Sequence, residues 1–190
     1  MGFLDALLGR TRLEKPKLDA LFALSTARLT LDGAGFKAGE RAGVCLRPVE
    51  AGAFAAAEKD LMEILRLSQE ELQLTPMTVQ DELGFQWVVL TSPQFESLVT
   101  AVHLVADNLQ EQGFGEQILA AAFLFQDAGQ KAVYVVYNYK RGSFYPFVPR
   151  EGQDQERDNA GELRLSGLLS KELPVEKELE RWYALWKLPV

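Results

Sequence analysis

Two runs near the centre of the chain, QILAAAFLFQD at 117–127 and KAVYVVYNYKRG at 131–142, leave little freedom in what this sequence can become. Both are rich in apolar, β-branched or aromatic residues and both have strand length. Ala128 and Gly129 mark a turn between them, so the pair reads as a β-hairpin. In the second run Val133, Val135, Tyr137 and Tyr139 share one face, while Tyr134 and Val136 occupy the other. A strand that is apolar on both faces needs cover on both, so it belongs inside a sheet with material packed above and below.

The flanking sequence supplies further elements. SPQFESLVTAVHLVADNLQEQG is the strongest helix pattern. Ser92 suits the N-cap, Pro93 the first helical position and Gly113 the exit, with an apolar stripe of Phe95, Leu98, Val99, Val102, Val105, Ala106 and Leu109. AFAAAEKDLMEILRLS repeats Phe54, Ala57, Leu61, Ile64 and Leu65 at helical spacing. ELQLTPMTVQ and GFQWVVLTS read as strands, the first at an edge or bulged because Pro76 lacks a ladder donor. ARLTLD and VCLRPV read as two short strands joined by the glycine-rich DGAGFKAGERAG, and SFYPFVP as one more extended segment. REGQDQERDNAGE is polar and aperiodic, so residues 150–162 read as a mobile polar loop. LPVEKELERWYALWKLPV reads as a helix from Pro174 with Val175, Leu179, Trp182 and Trp186 on one stripe. The expected class is α+β: a largely antiparallel sheet built from ββα-like blocks, with helices mainly on one face. Residues 1–17 form a short apolar segment and basic linker, and 18–190 a single domain.

Charge and composition bound the function. Lys and Arg number 20 against 27 Asp and Glu, a net charge of -7, which opposes passive attraction to nucleic acid or to an anionic membrane. The one cysteine, Cys45, forms no internal disulfide, and neither a secretory leader nor an apolar run of bilayer-spanning length is apparent, so the expected location is the cytoplasm. Chemistry is sparse. The one histidine, His103, lies mid-helix at the flank of the apolar stripe and reads as a boundary residue. Cys45 alternates like a buried strand residue, and a Cys45–His103 dyad has no local support. A closed zinc site needs more Cys and His than the chain has, and the glycine loops lack phosphate-loop or calcium-loop spacing. Paired acids such as Glu70–Glu71 and Asp81–Glu82 read as solvated charge. No cofactor, metal or catalytic residue is therefore expected, although an all-carboxylate site stays open.

Two stretches qualify as partner-binding candidates. YNYKRGSFYPFVPR sets Lys140, Arg141 and Arg150 among Tyr137, Tyr139, Phe144, Tyr145 and Phe147. The first reading is a turn plus core rings, the second a partner-binding edge built on Lys140, Arg141, Phe144, Tyr145 and Phe147. MGFLDALLGR pairs Phe3 with Leu7 and Leu4 with Leu8 at i,i+4, so a short helix presents one apolar face. Such a segment needs a surface to fold on, because isolated helices shorter than ~12–15 residues are marginal. Arg10, Arg12, Lys15 and Lys17 fall short of a polybasic membrane anchor, which ranks docking on its own domain or a neighbouring copy ahead of a partner or lipid.

MGFLDALLGR, LDALFAL, AGVCLRP, GFQWVVL, VADNLQEQGFGEQIL, YKRGSFYPFVP, RDNAGELRL and LPVEKELERWYALW, in this order, resemble the PspA-associated protein PspAB family from Met1 to Trp186. The resemblance implies a cytoplasmic bacterial accessory protein of a membrane-stress system, with a phage shock protein A-like partner and peripheral contact with the inner membrane. It brings no catalytic residue set. At the level of fold, strands alternating with helices are also similar to secretion-chaperone-type and YbjN-like domains, which implies a peptide-binding homodimer as the alternative.

Overall fold

The computed structural model describes residues 18–47, 52–150, 152 and 155–190. Among these are six strands: β1 Lys37–Leu46, β2 Thr75–Gln80, β3 Gln86–Thr91, β4 Ile118–Gln126, β5 Ala132–Asn138 and β6 Ser143–Phe147. They form one antiparallel sheet in the order β2-β3-β1-β4-β5-β6. The expected hairpin is β4–β5, with Phe123 opposite Val135. β2 carries Pro76 and is an edge strand, as its proline requires. The α+β class, with its largely antiparallel sheet, holds.

The helices are α1 Ala23–Gly33, α2 Gly52–Leu67, α3 Gln69–Leu72, α4 Phe95–Glu111 and α5 Asn159–Leu169. All seven apolar positions expected on α4 are buried, and they face Val44, Leu46, Val88, Leu90, Phe123 and Phe125 of the sheet. Gly113 exits with φ +85°, a conformation costly for any residue with a Cβ. Ser92 precedes the helix rather than capping it: its hydroxyl accepts from Gln94 N and donates to the Leu72 carbonyl.

The alternation read in β5 divides the interior into two layers. Val133, Val135 and Tyr137 join the helices, whereas Tyr134 and Val136 lie on the other face with Cys45, Trp87, Tyr145 and Phe147. The cover on that second face corrects the sequence reading. Residues 174–190 form no helix; apart from a single 3-10 turn at Leu179–Arg181 they run as an irregular strap. Phe144 N donates to Pro174 O and Glu176 N to Phe144 O, which holds the strap to β6 as a short parallel bridge. The strap then crosses the sheet to Val190, where the Tyr134 hydroxyl donates to its carbonyl. Tertiary contact outweighs the 3.6-residue period here, because Trp182 and Val190 each find an apolar seat on the sheet.

Three further readings change. ARLTLD is part of α1, not a strand: Leu24, Ala27 and Leu31 are buried at helical spacing, and the period-2 pattern spans too few residues to compete. The first block is therefore not ββα, because a helix stands where its first strand was expected. KAGERAG is not a loop but the first part of β1. A Cβ at Gly39 would stand 2.8 Å from Leu124 Cγ, and one at Gly43 2.6 Å from Val190 Cγ1, so these glycines permit close approach and do not make a turn. The polar stretch expected to reach residue 162 becomes helical at Asn159, after the Asp158 carboxylate accepts from Gly161 N.

At that helix start lies a buried ionic clip. Glu162 is 2% exposed and takes two hydrogen bonds of 2.9 Å from Arg157 Nε and one from Val148 N. Arg157 also donates to the Trp182 carbonyl at 2.8 Å and lies over the Phe147 ring. One guanidinium thus ties α5, β6 and the strap together.

Candidate functional site

Between the strap and the uncovered end of the sheet is a cleft of about 850 Å³. Cys45 of β1, Trp87 of β3, Ala120 of β4 and Tyr145 of β6 contribute from the sheet, and Tyr183, Ala184, Leu185, Trp186 and Leu188 from the strap. Leu83 and Phe85 enter from the β2–β3 turn, Gly113, Gly115 and Glu116 from the α4–β4 connection, and Lys140 and Arg141 from the β5–β6 turn. Arg47, at the exit of β1, completes the basic side.

Local hydrogen bonds fix these contributors. Asp81 Oδ1 accepts from the backbone N–H groups of Leu83 and Phe85, and Oδ2 accepts from Trp87 Nε1, all at 2.9 Å. The carboxylate read as solvated thus shapes the turn and orients an indole. Its neighbour Glu82 does reach solvent, where it pairs with Lys187 of the strap at 2.6 Å. In the β5–β6 turn, Gly142 N donates to the Asn138 carbonyl at 2.8 Å, and Lys140 and Arg141 project outward.

The partner-binding candidates separate accordingly. Lys140 and Arg141 are exposed beside the cleft, as is Arg150 elsewhere on the surface. Phe144, Tyr145 and Phe147 are buried: Phe144 lies in the helix-side layer, while Tyr145 and Phe147 lie beneath the strap. Their rings are core, so the exposed aromatic edge is not formed by them. Phe3, Leu4, Leu7 and Leu8 lie outside the described residues. The sequence reading missed the cleft as a whole, because its lining comes from five separate segments and no local pattern marks it.

The buried thiol and tyrosine hydroxyls in and around the cleft are hard to ionise. Burial, with the Asp81 carboxylate second, pushes the Cys45 thiol from an ordinary 9.0 up to about 12. Burial also raises the Tyr145 and Tyr139 hydroxyls, and takes Tyr137 from 10.0 to about 12. His103 is on the helix side of the sheet, its ring 4.8 Å from that of Phe22, so Cys45 and His103 are separated by the sheet. No group of three His, Cys, Asp or Glu able to hold a metal ion occurs among the described residues, and no helix among them is long and apolar enough to cross a membrane.

A prediction follows from the thiol. Folded protein resists alkylation by iodoacetamide near neutral pH and reacts at Cys45 once urea unfolds it; fast native labelling would contradict the burial. The same shifts set an alkaline limit. The unfolded chain ionises Cys45 and Tyr137 first, so the stability these groups contribute is full below pH 9 and lost as pH rises toward 12.

The family described as PspAB, PspA associated protein B, has a model that matches residues 1–190. No curated protein and no solved structure matches.

Proposed function

The chain belongs to the PspA associated protein B family, and on that premise we propose that it is a non-enzymatic adaptor of a phage shock protein A system, acting by protein–protein binding in the cytoplasm at the inner membrane. The family match over the whole chain carries the reading, since the family's name points to an accessory role beside PspA. The site chemistry supports it. The cleft holds a protonated, buried thiol and an aspartate engaged in a turn, an arrangement suited to holding a ligand rather than transforming it.

The direct test is retention of the purified chain on immobilised phage shock protein A from the same organism, with and without phospholipid vesicles. Saturable retention in either condition is expected. No retention of the chain under either condition would overturn the adaptor reading.

A further inference from the structure

The cleft has an electrostatic character at odds with the chain around it. Arg47, Lys140 and Arg141 all line it, all are exposed, and none of the three forms an ion pair among the described residues. Of the two carboxylates in the lining, Asp81 is committed to Trp87 and the turn, which leaves Glu116 as the opposing charge. In a chain of net charge -7, three cations against one uncommitted carboxylate around one recess are a local reversal of sign.

The rest of the lining is mostly apolar, with Trp87, Ile118, Leu185, Trp186 and Leu188 among its members. Of the strands in its lining, β1, β3, β4 and β5 are interior to the sheet, and the edge strand β6 bonds through Phe144 to Pro174 and Glu176 of the strap, so their backbone groups are already engaged with neighbours. An extended peptide would find no free strand edge on this face, and its own N–H and C=O groups would lose water without replacement. A hydrocarbon chain carries no such groups. The volume of about 850 Å³ also lies within the roughly 300–1,000 Å³ of small-molecule sites.

We propose that this cleft binds a single-chain anionic amphiphile, its hydrocarbon body between the sheet and the strap and its charged head among Arg47, Lys140 and Arg141. This site goes beyond the adaptor reading and does not depend on it.

The test titrates the full chain with dodecanoate below its micelle-forming concentration. Binding is followed by calorimetry and by tryptophan fluorescence, since Trp87 and Trp186 both line the cleft. Saturable one-to-one binding is expected. Dodecyltrimethylammonium, with the same chain and the opposite charge, should bind at least about tenfold more weakly, and acetate, the head alone, should not register. The variant Arg47→Gln/Lys140→Gln/Arg141→Gln should lose about tenfold in dodecanoate affinity, and added salt should weaken the wild type in the same direction. Equal affinity for the two charge types would overturn the proposal. So would undiminished dodecanoate binding by the triple variant. Saturable binding of an acidic peptide with none of dodecanoate would also overturn it, in favour of a protein occupant.

Discussion

Arg157→Met is expected to lower the unfolding free energy by about 3–5 kcal/mol, because it leaves the carboxylate of Glu162 buried without its cation. The same change removes the donor to the Trp182 carbonyl and the cation over Phe147, so the strap loses an anchor as well. Urea unfolding measures the effect as a fall in midpoint at constant slope. A second variant separates charge from packing. Arg157→Met/Glu162→Gln removes the unpaired charge while the amide oxygen still accepts from Val148 N, so it should recover much of the loss. A double variant no more stable than Arg157→Met would show that the cost comes from the strap contacts alone.

Phe147→Ala carries a comparable penalty for a different reason. The ring is fully buried and packs 5.1 Å edge-to-face on Trp186 of the strap, 6.2 Å from the ring of Tyr134, and beneath Arg157. Removing it leaves a void that its neighbours fill only partly, at about 3–5 kcal/mol. A fluorescence readout distinguishes the layers. Phe147→Ala should shift native tryptophan emission to the red as water reaches the strap, whereas Phe123→Ala, in the helix-side layer, should destabilise by a similar amount with native emission unchanged. Equal emission from the two variants would mean that the layers are not separable. Because Phe147 and Arg157 touch, their effects should not add.

The elements legible in the sequence are those whose local pattern and tertiary burial agree. β5 alternates in the sequence as it does in the structure, and α4 keeps its stripe over four turns. Elsewhere a non-local partner decides. Gly39 and Gly43 look like turn residues until Leu124 and Val190 are placed against them. The strap has a helical period, yet Trp182 is buried and Trp186 half-buried against a sheet assembled from distant segments. Glu162 lies in a polar stretch with nothing local to mark it, and its burial follows from Arg157 and Val148. Of the cleft, the sequence indicates that Cys45 is buried and that Trp186 belongs to an apolar stripe. It does not group Arg47, Lys140 and Arg141 in one lining, because that grouping follows from the sheet order.

That order also bears on how the chain assembles in time. β2–β3 is a hairpin and β4–β5–β6 a meander, each formed from neighbours in sequence, but β1 lies between them and bonds to both. During synthesis β1 emerges first and waits, one edge for β3 and the other for β4. Joining the halves closes longer loops than either local unit does and so carries the larger entropic cost, and until it happens an unpaired strand edge is open to the wrong neighbour. Glycines at 39 and 43 make β1 a poor strand on its own, which lowers that hazard. The glycines that let the finished sheet accept Leu124 of β4 and Val190 of the strap also disfavour early pairing of the unfinished one.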